Sequence, residues 1–87
     1  MVIHFLNKQA TYTQNTTVSF AALVDGVEIA CEISGEALTD HFAASSMRGA
    51  DLVAAFEAHR PEIEAVARVF LPRRLPAGRC LLVSADF

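Results

Sequence analysis

Long apolar runs are missing from this sequence of 87 residues. With them goes any bilayer-spanning helix, which needs roughly 18 consecutive apolar positions. Cysteine is scarce. Two residues with no secretion-type leader before them are too few for a disulfide framework and point to reduced thiols. The opening stretch, MVIHFLNKQ, has neither a basic leader nor an apolar segment of signal-peptide length, so the expected location is cytoplasmic. A surplus of positive charge is missing too. Seven Lys and Arg stand against ten Asp and Glu, a formal net charge of −3. That balance excludes a general nucleic-acid coating role while leaving room for a local basic patch. No repeat, low-complexity tract or linker divides the chain, so residues 1–87 are expected to form a single compact α+β domain.

What is present is apolar material in short, patterned pieces. Residues 2–6, VIHFL, suit an opening strand, and the polar NKQATYTQNTT reads as an exposed connection. VSFAALV then meets VEIACEIS across Asp25-Gly26, a strong signal for a two-residue hairpin turn with positive φ at both central positions. In that register Val24 faces Val27, Ala22 faces Ile29, Phe20 faces Cys31 and Val18 faces Ile33. Every pair joins apolar to apolar. The other face is mostly polar or small, and a one-residue slip would exchange the two.

Ser34 suits a helix N-cap with Glu36 near the positive end of the dipole, and EALTDHFA follows as a short helix. In ADLVAAFEAHRPEIEAVARVF the apolar stripe Leu52, Phe56, His59, Ile63, Val66 and Phe70 keeps its phase across Pro61. One long helix kinked at the proline is therefore expected. LPRRLPAGR stops it, and CLLVSADF closes the chain as a strand with Leu81, Val83, Ala85 and Phe87 on one face. The predicted fold class is α+β. It has two layers: an antiparallel, hairpin-centred sheet of three to four strands in the order β-β-β-α-α-β, with both helices on one face.

VSFAALVDGVEIACEIS, Leu38 in EAL, Phe56 in AAF, Arg60, Ile63 and Ala67 in RPEIEAVARVF, and the closing SADF together resemble the bacterial family catalogued as domain of unknown function 1488. The likeness runs from Val18 onward. It implies a small α+β fold and brings no activity, cofactor or binding residue that could be transferred. The Pro- and Arg-rich loop at 72–79 is unlike the tighter connection associated with that family.

The candidate sites are few. Cys31 has Ser34, Asp40 and His41 within eleven positions, but the hairpin register places it in the core beside Phe20, where a thiol behaves as a small hydrophobe. Ser34 is committed to its cap. Cys31, His41, His59 and Cys80 lack the local ligand pairs of a structural zinc site, so no metal and no cofactor are expected. A Cys31–Cys80 disulfide runs against a reducing compartment. His59 and Arg60, beside the proline, could shape a small polar pocket. Arg68, Arg73, Arg74 and Arg79 make a local cationic cluster able to hold phosphate or an acidic surface, though no aromatic residue is interleaved for base stacking. Ala21, Leu23, Ala30 and Leu82 are expected on the sheet face turned away from the helices, a half-apolar surface suited to self-association. The reading that follows is a non-enzymatic cytoplasmic module acting through protein contacts, with a second copy of itself as the first partner to test. The alternative is a nucleic-acid-associated regulator using the 73–79 loop.

Overall fold

The computed structural model describes residues 1–87. Its centre is the expected hairpin of β3 (Thr17–Val24) and β4 (Val27–Ser34). All four apolar pairs, from Val18 opposite Ile33 to Val24 opposite Val27, are in the predicted register. Asp25 and Gly26 both take positive φ, 50° and 86°, as a turn matched to the strand twist requires. Asp25 also accepts a hydrogen bond from the Val2 N–H at 2.7 Å, which ties the chain start to the hairpin tip.

The outer edge of β3 carries two short antiparallel pieces. β1 (Ile3–Phe5) lies against Ala22–Val24, and β2 (Thr11–Tyr12) against Val18 and Ser19. Residues 6–10 lie between them on one side, but only Phe20 and Ala21 on the other, so the intervening chain bulges. The segment read as an exposed connection is therefore partly structural: Ala10 and Thr17 are buried.

Ser34 caps α1 (Gly35–His41) as expected, its Oγ accepting from the Ala37 N–H at 3.1 Å. The long helix is a pair. α2 (Gly49–Ala58) ends at His59, whose φ of −124° and ψ of 22° lie outside the helical range, and α3 (Arg60–Arg74) starts immediately. Pro61 falls in the first turn of α3, where a missing N–H and a fixed φ are no handicap, so breaking the helix there is easier than bending it. The break also rotates the buried stripe. In α3 the fully buried positions are Ile63, Ala67 and Leu71, while Val66 and Phe70 are only half-buried. α3 passes through Pro72, and the chain turns at Leu75–Ala77 and at Gly78, with φ 94°.

β5 (Cys80–Leu82) joins the sheet parallel to β4, with Cys31 opposite Cys80 and Ile33 opposite Leu82. The sheet is thus mixed, ordered β1-β3-β4-β5 with β2 sharing the outer edge of β3. The hairpin is antiparallel, but the helical connection is a crossover that brings β5 alongside Cys31–Ile33 in the direction of β4, as such connections do for parallel neighbours. The helices cover one face. Between the layers lie Ile33, Leu38, Leu52, Phe56, Ile63, Leu71 and Leu82, all fully buried, with the Phe20 and Phe56 rings 4.9 Å apart. The result is the two-layer α+β fold. No helix is long and apolar enough to cross a membrane.

Candidate functional site

The sheet face away from the helices is built from alternate residues of the same strands. Ala21 stands opposite Ala30, Leu23 opposite Glu28, and Ser19 opposite Glu32. Glu32 in turn neighbours Leu81 on β5. Ala21 and Leu23 are half-buried and Ala30 is exposed, so three of the four residues expected here are present. Leu82 is not. It is fully buried, because the parallel register points Cys80 and Leu82 inward and turns Leu81 outward, one residue out of phase with the expectation.

Ion pairs bound this face. The bulge carries Lys8 over the strands, its Nζ donating to both Glu28 oxygens at 3.0 Å. Toward the other end, Arg79 donates to Glu32 from Nη2 at 3.0 Å and from Nε at 3.3 Å. Glu32 also accepts from the Thr17 hydroxyl, which lies 2.6 Å from Thr13 Oγ1. Arg79 first and Thr17 second hold the Glu32 carboxyl below its ordinary range. Between the two ion pairs lies a floor of alanine and serine. A shallow hollow of about 180 Å³ sits beside Lys8, floored by Ser19, Ala21 and Ala30. Lys8 escaped the sequence reading because nothing local signals a bulge. Leu81 escaped because strand phase at a chain end is free until register fixes it.

The arginines read as a cationic cluster are dispersed. Arg60, Arg68 and Arg74 share one arrangement: each donates at 2.7 Å to a backbone carbonyl, of Lys8, Ile3 and Leu81 respectively. Each guanidinium also lies over a phenylalanine, Phe56 at 5.1 Å, Phe5 at 5.3 Å and Phe70 at 4.2 Å. One face of α3 thus reaches the bulge, β1 and β5, and occupies carbonyls on the sheet's two edge strands that could otherwise pair with another chain. Arg74 further makes a bidentate pair with Asp86, both contacts 2.7 Å. That pair holds the Asp86 carboxyl below and the Arg74 guanidinium above their ordinary values. Only Arg73 of the four cluster residues has no partner within the chain, on the exposed last turn of α3.

His59 and Arg60 do not share a pocket. Arg60 turns to Glu57 and Glu64. His59 turns to Glu62, 3.2 Å away, and packs on Phe42. The hollow beside His59, about 250 Å³, is lined largely by alanines with Asp51 and Ser45.

One polar constellation spans the chain in a way spacing could not reveal. Ser84 donates to Asp40 Oδ2 at 2.6 Å, and His41 Nε2 lies 3.0 Å from the Ser84 carbonyl and 3.2 Å from its hydroxyl. A carbonyl only accepts, so this imidazole nitrogen carries a proton and cannot take one from the serine. With Phe87 against Phe42 and His41, the arrangement fastens the last residues to α1. Cys31 is in the core as expected, 0% exposed, and Cys80 is its neighbour.

The sequence profile described as a protein of unknown function, DUF1488, matches residues 3–79. The chain belongs to this bacterial family, and every segment that suggested the kinship lies inside the match except the closing SADF. No curated protein and no solved structure matches the chain.

Proposed function

We propose that the chain is a non-enzymatic cytoplasmic module that works through protein contacts, that the open sheet face is its contact surface, and that the first occupant is a second copy of the chain. The observation that carries this reading is the charge layout of that face. Lys8 and Glu28 sit toward the hairpin end, Glu32 and Arg79 toward the other, with Ala21 and Ala30 paired between them. The face is neutral overall and carries both signs at both ends. A copy turned end for end therefore lays one ion pair over the other and alanine over alanine, the self-match a twofold contact needs. A strongly acidic or basic partner would find no complementary field.

Size sets the strength. Two eight-residue strands flanked by edge pieces of three, two and three residues, at about 3.3 Å per residue and about 4.8 Å between strands, give roughly 400 Å² per copy. About 800 Å² in total lies under the roughly 1,000 Å² that a stable specific interface clears, which suits a weak, reversible dimer. The nucleic-acid alternative, built on the 73–79 loop, is less supported, since Arg74 and Arg79 of that loop are paired with Asp86 and Glu32.

Sedimentation equilibrium over the micromolar range tests the reading. The expected result is a concentration-dependent dimer that Ala30→Glu turns into a folded monomer. A wild-type monomer throughout the range, or a dimer that Ala30→Glu leaves intact, would overturn it.

A further inference from the structure

Cys31 and Cys80 are distant in sequence, yet the parallel β4–β5 ladder makes them Cα partners. Both side chains point to the helix-covered face, 0% and 1% exposed, and both are free thiols. Adjacent strands lie about 4.8 Å apart, inside the Cα separation of roughly 4.4–6.8 Å that a disulfide spans. The register therefore sets the two thiols side by side in the core, with no other residue of either strand between them. A core needing only bulk at these two places could use alanine or valine at either. Two thiols in register add a chemistry that neither alone has.

We propose that Cys31 and Cys80 form an oxidisable dithiol, a modification site at which a small hydroperoxide closes an intramolecular disulfide between β4 and β5. Cys80, on the three-residue edge strand, is the sulfur oxidised first. The neighbouring Cys31 first, and the Arg74 charge after it, lower the Cys80 thiol against burial and the Asp86 charge. The neighbouring Cys80 first, and burial after it, raise the Cys31 thiol. The Cys80 thiolate displaces hydroxide from hydrogen peroxide, giving a sulfenic acid and breaking the O–O bond. The Cys31 sulfur then attacks the Cys80 sulfur, forming the S–S bond and breaking the S–O bond. The Cys31 proton leaves with that hydroxyl as water. In sum, two thiols and one hydrogen peroxide give one disulfide and two waters. The thiols are oxidised by two electrons and the peroxide is reduced by two.

Access is set by the edge strand. β5 has three residues at the end of the sheet, and Arg74 secures it by binding the Leu81 carbonyl and Asp86 together. Short edge elements open locally at less cost than the core, so this latch gates the dithiol. The effect reaches the opposite face as well, because Glu32 and Leu81 are the next registered pair after the two cysteines.

The test uses the whole folded chain. It is treated with hydrogen peroxide, quenched with catalase, denatured, alkylated with iodoacetamide and weighed intact. The expected product is lighter by two hydrogens, unalkylated, monomeric, restored by dithiothreitol, and yields one cross-linked peptide joining Cys31 to Cys80. Cys31→Ser, treated with peroxide and dimedone, is expected to carry the adduct on Cys80. Asp86→Asn loosens the latch and is expected to speed disulfide closure about tenfold, the population change from weakening it by about 1.4 kcal/mol. Two alkylatable thiols surviving in the treated folded protein would overturn the proposal, as would a bridge formed only between molecules or only in urea. An unchanged rate in Asp86→Asn would overturn the gating.

Discussion

The two faces of the sheet are cut from the same two strands, one residue apart, and are held by different physics. On the covered face Val18, Phe20 and Ala22 meet Ile33, Cys31 and Ile29, and the helices bury most of what they touch. On the open face Ser19, Ala21 and Leu23 meet Glu32, Ala30 and Glu28, and the fixed points are ion pairs at the ends. Packing on the first face is close, so a lost methylene is felt. The second has little to pack and can adjust to what lands on it. Even the covered face shows where its physics stops: Val27 is 61% exposed at the hairpin tip, beyond the reach of the helices, although it keeps its register. Burial follows the helical layer, while register follows the turn.

The sharpest break of this contrast is Phe56→Ala. Phe56 is 0% exposed, stacks on Phe20, and supports the Arg60 guanidinium. Its truncation is expected to cost about 3–5 kcal/mol, read as a lower midpoint in urea. Ala30→Glu on the open face is expected to shift the same midpoint by less than about 0.5 kcal/mol. Similar losses from both would mean that the open face is packed, and the contrast would fall.

A smaller effect lies where the faces meet at the β5 edge. Arg74→Met keeps the stem over Phe70 but removes the contacts to Leu81 and Asp86, the latter 9% exposed as a side chain, and about 2 kcal/mol is expected to go. The pH profile follows from direction alone. Asp86 and Glu32 are lowered from ordinary values of 3.8 and 4.5, so folding favours their charged forms. Their contribution is complete above those ordinary values and fades as pH falls through the lowered folded ones. The unfolding temperature should therefore hold level from neutral down to roughly pH 5 and then drop. In Arg74→Met the acid drop should be shallower, since Asp86 no longer takes part. An equally steep drop would remove Asp86 from the explanation.

The legible part of this molecule was whatever local chemistry decides. Asp25-Gly26 set the turn, and the turn set four inward pairs without help from the rest of the chain. Ser34 announced its helix, and Phe20 beside Cys31 followed from counting. Positions decided by distant partners were not legible. Pro61 fits a kinked helix and a new first turn equally well by sequence, and the packing of Ile63, Ala67 and Leu71 selects the second. Leu82 and Leu81 exchange faces because β5 runs parallel, which no residue in CLLV can signal. The arginines misled for a physical reason: Arg68, Arg73, Arg74 and Arg79, close in sequence, read as one patch. Helical geometry instead sends Arg60, Arg68 and Arg74 to three separate carbonyls. The candidate surface was therefore legible in its alternation and not in its boundary, since Lys8 comes from a bulge and Arg79 from a turn.

The smallest effect gives the finest test of the comparison. Lys8 and Glu28 are 59% and 52% exposed as side chains, and pairs so wet couple by about 0.2–1 kcal/mol. A double-mutant cycle of Lys8→Ala and Glu28→Ala, measured by urea unfolding of dilute protein, is expected to fall in that range. Salt at about 1 M should abolish it, the screening length then being near 3 Å. If a second copy covers the open face, the cycle must change with protein concentration. The pair then loses water and gains neighbours, and its coupling strengthens and resists salt. The same small number thus separates a face that is merely exposed from one that waits for its partner. A coupling constant across concentration leaves the ion pair a surface ornament, and one that grows as the dimer forms makes Lys8 and Glu28 part of the contact.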